Sequence, residues 1–271
     1  MKTDREAPIG VFDSGVGGLT VAREIMRNLP SEKIVYFGDT ARVPYGSKSK
    51  ETVIRYSRQI IRFLQEQQVK AIVIACNTAS AFALDAVRDE FDLPIIGVIE
   101  PGAKVAAAQT RNKKVGVIGT VGTIGTGIHA EYLKSLDPEI TVYGKACPLF
   151  VPLVEEGWLH DPVTDEVVAR YLKELQEKDI DTLILGCTHY PLLRSTIRKI
   201  MGDQVCLVNP AYETALELGR LLKEKELSGT GTVQADFPYR FYVSDLADEF
   251  KAFANSILPY DVEMTKKIDI E

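Results

Sequence analysis

Two short segments of this 271-residue chain each occur twice, in the same order in its two halves. "PIGVFDSGVGG" resembles "KVGVIGTVGTI", which matches Gly10 with Gly116, and "VKAIVIACNTAS" resembles "IDTLILGCTHYP", which matches Cys76 with Cys187. The two offsets are 116 − 10 = 106 and 187 − 76 = 111 residues, so they differ by only five. Such a repeat indicates two equivalent structural units with a small insertion between the matched segments.

Short runs rich in Val and Ile alternate in both halves with amphipathic stretches of helical length. This alternation predicts βαβ units around parallel strands. We therefore predict an α/β protein with two pseudo-symmetric α/β domains, mainly parallel sheets and an active site in the cleft between the domains. The predicted strands are "PIGVFD", "KIVYFGD", "KAIVIAC", "PIIGVIE", "KVGVIGT", "TVYGKAC", "DTLILGC", "QVCLVN" and "RFYVSD".

The first domain is predicted to comprise residues 1–98 together with 208–271, and the second domain residues 99–207. The boundary between the halves is placed at Val98 to Gly102, where "GVIEPGA" supplies Pro and Gly after a strand. The tail after Val208 is too short for a third domain and is expected to pack on the first. Its segment "SGTGTVQADFP" is predicted to be a surface connection.

The formal net charge of −6 argues against nucleic acid or an anionic membrane as a partner, because both need a concentrated basic face. No window approaches the roughly 18 apolar residues of a membrane-spanning helix, and the apolar segment near the start is too short for a signal peptide. We expect a cytoplasmic protein that forms a homodimer. The four cysteines form no CxxC pair, so reduced thiols are expected rather than disulfides or a structural zinc site.

Cys76 and Cys187 each end an apolar strand and precede a helical pattern. Ligands bind at the carboxyl ends of parallel strands, and a helix N-terminus there favours a thiolate. Pseudo-twofold symmetry would place the two thiols on opposite sides of one bound molecule. A racemase or epimerase needs two acid/base groups on opposite faces of a tetrahedral carbon, and a thiol can fill either role. Cys147 and Cys206 lack such a pairing and are predicted to lie in the core.

Polar residues at the other strand ends suit an anionic, polar substrate, because hydroxyl groups and backbone amides there can bind carboxylates. The glycines of "SGVGGLT" do not complete the G-x-G-x-x-G fingerprint of a dinucleotide loop. A metal is not expected, because the Cys187 and His189 pair lacks further ligands at a suitable spacing. The strand-end candidates are Asp13, Ser14, Pro44, Tyr45, Gly46 and Thr120.

Five motifs, "FDSGVGGLTV", "GDTARVPYG", "ACNTASA", "GTVGTI" and "GCTHYPLL", appear in an order that resembles the cofactor-independent aspartate/glutamate racemase family. The resemblance extends from the start of the chain to about Leu222. It implies interconversion of L- and D-glutamate without a cofactor, as a supply of D-glutamate for bacterial peptidoglycan synthesis. It also implies that Cys76 and Cys187 are the catalytic acid/base pair.

The resemblance further implies that Asp13, Glu155 and His189 assist the thiols, with Glu155 chosen over its neighbour Glu156. The residues that it implies as substrate contacts are Asp13, Ser14, Tyr45, Gly46, Asn77, Thr78, Thr120, Thr188 and His189. His129 and His160 are predicted to lie at the surface or behind the site.

Without the resemblance, the residues are also compatible with other functions. One is a racemase for aspartate or another amino acid, or an isomerase of dicarboxylates. A cysteine hydrolase using Cys187 and His189 would be indifferent to Cys76. A pyridoxal-dependent racemase would need a lysine Schiff base, and a two-domain binding protein would make no use of paired thiols.

Overall fold

A computed structural model describes residues 4–231, 238–260, 262 and 265–270 of the chain. Within these residues, helices surround ten strands. The strands are β1 (Ile9–Asp13), β2 (Ile34–Gly38), β3 (Ala71–Ile74), β4 (Ile95–Gly97), β5 (Lys114–Gly119), β6 (Thr141–Ala146), β7 (Thr182–Gly186), β8 (Cys206–Val208), β9 (Tyr239–Val243) and β10 (Thr265–Lys267). The α-helices are α1 (Leu19–Asn28), α2 (Lys50–Glu66), α3 (Asn77–Arg88), α4 (Ile99–Gln109), α5 (Val121–Gly125), α6 (Ile128–Leu136), α7 (Phe150–Glu155), α8 (Pro162–Glu177), α9 (Arg194–Met201), α10 (Pro210–Glu224) and α11 (Ala247–Ile257).

The strands form two sheets, one in the order β10-β9-β2-β1-β3-β4 and the other in the order β6-β5-β7-β8. Every strand pair in both sheets is parallel. The order β2-β1-β3-β4 of the first sheet recurs as β6-β5-β7-β8 in the second, which is the duplication predicted from the repeated segments. All residues of β1 and β7 are buried, as is typical of central strands covered by helices on both faces. The α/β class and the pseudo-symmetric pair of parallel sheets are therefore confirmed.

The register brings the predicted site residues to one edge of each sheet. In the first sheet, Phe12 of β1 pairs with Ile74 of β3, so that Asp13 and Cys76 both lie at the carboxyl edge. In the second sheet, Gly119 of β5 pairs with Gly186 of β7, directly before Thr120 and Cys187.

The segment from Val98 to Gly102, where the domain boundary is predicted, leads from a strand directly into a helix. β4 ends at Gly97, and α4 begins at Ile99 with Pro101 in its first turn. Proline is tolerated there because the first backbone N–H groups of a helix have no partner within the helix. A Cβ on Gly102 would lie 3.0 Å from Cγ of Pro210, so glycine permits the close approach of α4 and α10. The domain limits 1–98 plus 208–271 and 99–207 stay a prediction.

The tail of the chain extends the first sheet. β9 pairs with β2, and β10 pairs with β9. Phe241 and Phe250 of this tail lie in the hydrophobic core with Tyr36, at ring-centroid distances of 6.2 and 5.7 Å from it. The sequence analysis predicts neither α11 nor β10. The three residues of β10, Thr-Lys-Lys, are too few to show a periodic pattern. Most of the predicted surface connection, residues 232–237, lies outside the described residues.

Candidate active site

Cys76 lies at the start of α3, where it is the N-cap residue of the helix. Its sulfur accepts a hydrogen bond from the backbone N–H of Ala79 at 3.4 Å and lies 3.7 Å from the hydroxyl oxygen of Ser14. Only 6% of the residue is exposed. The first and third motifs therefore meet in a direct contact between the Cys76 thiol and Ser14.

Burial and, to a smaller extent, the neighbouring Asp13 carboxylate together raise the pKa of Cys76 to about 12. The Ala79 amide and the Ser14 hydroxyl act in the opposite direction, but they are outweighed. The nearby Cys187 adds to the rise, so the two sulfurs interact electrostatically. The helix N-terminus favours the thiolate through the Ala79 amide, as predicted, but desolvation of the charged form is the larger effect.

Asp13 is the last residue of β1 and is fully buried. Its Oδ2 accepts a hydrogen bond from the backbone N–H of Gly15 at 2.9 Å. Burial raises the pKa of Asp13, while His189 and the backbone amides of Gly15 and Gly18 lower it in part. Asp13 therefore interacts electrostatically with both Cys76 and His189.

Cys187 follows β7 and belongs to a second chain of polar contacts. Its sulfur lies 3.8 Å from Nδ1 of His189, and Nε2 of the same ring lies 2.9 Å from Oε1 of Glu155. Burial by itself lowers the pKa of His189, but Cys187 and Glu155 together outweigh it and raise this pKa to about 10. At neutral pH His189 is consequently an imidazolium held between a sulfur and a carboxylate.

Glu155 reaches His189 because α7 ends beside the loop that follows β7. It is the last residue of α7, and Glu156 forms the C-terminal cap one residue later. Within the described part of the chain, the carboxylate that contacts His189 is that of Glu155. The resemblance favours Glu155 over Glu156, and the contact with His189 agrees with that choice.

The loop after β1 packs directly against the loop after β7. A Cβ on Gly17 would lie 2.3 Å from Oγ1 of Thr188 and 2.5 Å from Nδ1 of His189, so no larger residue fits there. The hydroxyl of Thr20 in α1 donates a hydrogen bond of 3.0 Å to the backbone oxygen of Thr188. These contacts bring the polar groups around Cys76 together with those around Cys187.

A second contact between the two sheets is made by three hydroxyl groups. Thr78 of α3 lies 2.9 Å from Thr120 and 3.0 Å from Thr123, measured between the Oγ1 atoms. Thr120 is the N-cap of α5 and accepts the backbone N–H of Thr123 at 3.1 Å. Gly46 lies against this cluster, since a Cβ there would be 2.6 Å from Cβ of Thr120. The predicted residues Thr78, Gly46 and Thr120 are thus neighbours.

The other predicted residues differ in what they present to this region. Asn77 begins α3, and its Oδ1 is buried without a hydrogen-bond partner. Tyr45 is buried, and its hydroxyl donates to Asp39, so it leaves the backbone rather than the hydroxyl for a ligand. Pro44 is exposed and follows a cis peptide bond.

Sequence reasoning overlooked Thr20, Thr123 and Asp39. Thr123 lies within "GTVGTI" and Asp39 within "GDTARVPYG", and both motifs carry a chosen neighbour. The side chain of each of these three residues contacts one of the predicted site residues in the folded protein. No local sequence pattern predicts such contacts. The position of Thr123 and Asp39 inside two of the five motifs is the sequence feature that could have identified them.

The remaining histidines and cysteines lie outside these contacts. His129 is buried near Gly186, and burial lowers its pKa to about 4, whereas His160 is exposed. Cys147 is fully buried as predicted, but Cys206 is only partly buried. The described residues contain no group of three or more His, Cys, Asp or Glu side chains that could hold a metal ion. They also include no helix with the length and apolar character needed to cross a bilayer.

Known proteins resemble this chain over nearly its whole length. A family model described as Asp/Glu/Hydantoin racemase matches residues 9–215. A glutamate racemase of Geobacter metallireducens is 50% identical over 250 residues, which cover 92% of each chain. The crystal structure of a glutamate racemase isoform from Bacillus anthracis matches with a TM-score of 0.91 at 42% identity and covers 98% of both chains. That of a Francisella tularensis glutamate racemase in complex with D-glutamate matches with a TM-score of 0.91 at 39% identity, over 98% of this chain and 99% of that one.

The two parallel sheets share a four-strand order, and each has a thiol after the equivalent strand. These features define a duplicated α/β isomerase of the kind that these relatives represent. The chain belongs to the Asp/Glu/hydantoin racemase family. The resemblance seen in the five ordered motifs is thereby confirmed.

Proposed function

We propose that this protein is a glutamate racemase, which interconverts L- and D-glutamate by moving a proton at the α-carbon. The observation that carries the proposal is the pair of thiols, Cys76 and Cys187, at the ends of equivalent strands in the two sheets. The glutamate racemases that the chain resembles support the choice of substrate.

The proposed reaction needs one cysteine as a base and the other as an acid. Because its pKa is about 12, Cys76 is a thiol at neutral pH and can donate a proton. The proposed base is Cys187 in its thiolate form, whose negative charge would lie beside the imidazolium of His189. The thiolate takes the α-proton, the electron pair of the C–H bond stays on the α-carbon, and Cys76 delivers its proton to the opposite face. Cys76 then carries the negative charge, and the reverse reaction restores the first state.

Asp13 and His189 serve these two thiols in the proposed mechanism. Asp13 has a raised pKa and interacts electrostatically with Cys76, so its proposed role is to exchange a proton with this thiol between turnovers. His189 stabilises negative charge on Cys187, and Glu155 holds the imidazole ring in place. No step in this scheme uses a cofactor or a metal.

Substrate binding is proposed to involve backbone amides and polar side chains at both strand edges. The buried, unpartnered Oδ1 of Asn77 suits the ammonium group of an amino acid. Hydroxyl groups and backbone N–H groups suit its two carboxylates. The proposed contacts are Asp13, Ser14, Pro44, Tyr45, Gly46, Asn77, Thr78, Thr120, Thr188 and His189.

The proposal also includes the domain organisation, the oligomeric state, the location in the cell and the use of the product. The cleft lies between a domain of residues 1–98 plus 208–271 and a domain of residues 99–207. The protein is a homodimer in the cytoplasm and supplies D-glutamate for peptidoglycan synthesis.

The direct test is to incubate the purified protein with D-glutamate in heavy water. We expect deuterium to enter the α-position while the optical activity of the solution decays, because the second thiol returns a solvent-derived proton to the opposite face. A parallel series with aspartate and other amino acids tests the substrate. Binding of glutamate without α-exchange would reject racemisation in favour of a binding protein, and faster turnover of aspartate would reject the substrate.

The role of Glu155 can be tested against its neighbour. Glu155→Gln is expected to lower kcat about tenfold, as is typical when support for a general acid or base is weakened. Glu155 raises the pKa of His189, so its removal lowers that pKa and the alkaline limb of the kcat profile moves to lower pH. Glu156→Gln is the matched control, with kcat and pH profile expected to stay as in the wild type. Equal effects of the two substitutions would contradict the assignment.

A further inference from the structure

Asp39 is a fully buried carboxylate with several donors. It follows β2, and its backbone N–H donates to the backbone oxygen of Asp13 at 3.0 Å. Nε of Arg42 lies 2.9 and 2.8 Å from its two carboxylate oxygens. The hydroxyl of Ser244 donates to Oδ1 at 2.8 Å, and the hydroxyl of Tyr45 donates to Oδ2. Charge-assisted hydrogen bonds of this kind are stronger than neutral ones, so Asp39 holds its donors firmly.

One of these donors leads directly to the proposed substrate site. Tyr45 is buried, and its neighbour Gly46 lies against the other half of the molecule. A Cβ on Gly46 would be 2.6 Å from Cβ of Thr120, and one on Gly122 would be 2.9 Å from the backbone oxygen of Gly46. The backbone at Gly46 therefore has little freedom to shift without a clash. Tyr45 directly precedes this backbone, so the hydrogen bond from its hydroxyl to Asp39 anchors the residue next to Gly46.

Another donor leads to the tail of the chain, which carries none of the family motifs. Ser244 directly follows β9, and its backbone N–H donates to the oxygen of Gly38 at 3.1 Å. Its hydroxyl also accepts the backbone N–H of Ala41 at 2.8 Å. The next residue, Asp245, donates its backbone N–H to the hydroxyl of Thr40 at 2.8 Å. Hydrogen bonds thus connect the start of the 39–47 loop to the residues that follow β9.

We propose that Asp39 is a positioning residue for substrate binding, and that Ser244 extends this role to the tail of the chain. Asp39 joins the Tyr45 hydroxyl to Ser244 and so sets the position of the Gly46 backbone in the cleft. A binding group is useful only where its supporting residues hold it in place. The inference rests on the proposed function, because it assigns Tyr45 and Gly46 to the substrate site.

The test uses Tyr45→Phe and Ser244→Ala, each of which removes one hydroxyl from Asp39. Asp39→Asn is less suitable, because it also leaves the charge of Arg42 without its carboxylate. We expect each hydroxyl variant to raise the KM for glutamate about tenfold, as fits the loss of a hydrogen bond to a charged group. The change in kcat is expected to stay below about threefold, because this support acts alike on bound substrate and transition state.

Matched controls come from the same chain. Tyr242→Phe removes a tyrosine hydroxyl that donates to Gln67 at 3.2 Å, and Ser256→Ala removes a serine hydroxyl that donates to the oxygen of Phe253 at 2.7 Å. Both controls are expected to keep the wild-type KM. Thermal unfolding of all variants separates loss of stability from loss of positioning, since a purely structural role would lower the Tm of Tyr45→Phe without changing its KM.

The double variant Tyr45→Phe/Ser244→Ala supplies a second readout. Because both hydroxyls act through Asp39, the two effects on KM are expected to be non-additive. If the wild type racemises glutamate but both single variants keep the wild-type KM, the inference is overturned. Fully additive effects on KM in the double variant would overturn it as well. Absence of racemisation by the wild type would instead reject the proposed function.

Discussion

Cys76→Ala and Cys187→Ala are each expected to lower the rate of glutamate racemisation by about 10²–10⁴-fold in both directions. Each substitution removes the group that carries the proton on one face of the α-carbon, and general acid or base groups contribute about 10²–10⁴-fold. Any residual α-deuterium exchange should be confined to one enantiomer and proceed without inversion, because the remaining thiol reaches only one face. Polarimetry and the deuterium content of each enantiomer measure these outcomes.

Cys206→Ala is the matched control for these two variants. Cys206 is a partly buried free thiol in β8, outside the contacts around the paired cysteines. We expect its replacement to leave the racemisation rate within about twofold of the wild type. A rate within tenfold of the wild type for either Cys76→Ala or Cys187→Ala would contradict the two-thiol mechanism. Indifference to Cys76 with full dependence on Cys187 would favour the hydrolase alternative.

Lys70→Met is expected to cause the largest loss of stability, because Lys70 and Glu32 form a buried ion pair. Their side chains are 1% and 3% exposed. Glu32 also accepts the backbone N–H of Gly229 at 2.8 Å, and Lys70 donates to the backbone oxygen of Arg5 at 2.5 Å. Removal of one partner leaves a buried charge unpaired, which costs about 3–5 kcal/mol of the free energy of unfolding. At about 2–4 °C per kcal/mol, the Tm should fall by about 6–20 °C.

Lys104→Met provides the control for this loss of charge. Lys104 bridges Glu100 at 3.1 Å and Glu217 at 3.0 Å, but 42% of its side chain is exposed. An exposed ion pair contributes at most about 1 kcal/mol, so the Tm should change by a few degrees. In the double variant Glu32→Gln/Lys70→Met, where neither charge remains, we expect part of the stability to return. Similar Tm values for Lys70→Met and Lys104→Met would show that the buried pair has no special role.

The sequence predicted the central strands of both sheets because their apolar runs are long enough to be distinctive. It did not indicate how the predicted domain boundary is built: Pro101 and Gly102 lie in α4, and Gly102 packs against Pro210. β10 was overlooked because it has three residues and joins the sheet only through pairing with β9.

The candidate site was predictable as a set of motifs and not as a set of contacts. His189 and Glu155 are 34 residues apart in the chain, and Asp39 and Ser244 are 205 residues apart. No periodic pattern links residues at such separations. The preference for Glu155 over Glu156 came from the resemblance, and the contact with His189 appears only in the folded chain.

By itself, the sequence determined the α/β class, the duplication and the two cysteines that stand at matching places in it. These properties follow from repeated local patterns, which can be recognised in the sequence without knowledge of the fold. The tertiary structure alone decided the partners of each thiol and the direction of the pKa shift at Cys76. Burial and the approach of Asp13 raise this pKa to about 12, against the effect expected of a helix N-terminus. Desolvation depends on everything that surrounds a group, and the chain defines those surroundings only once it has folded.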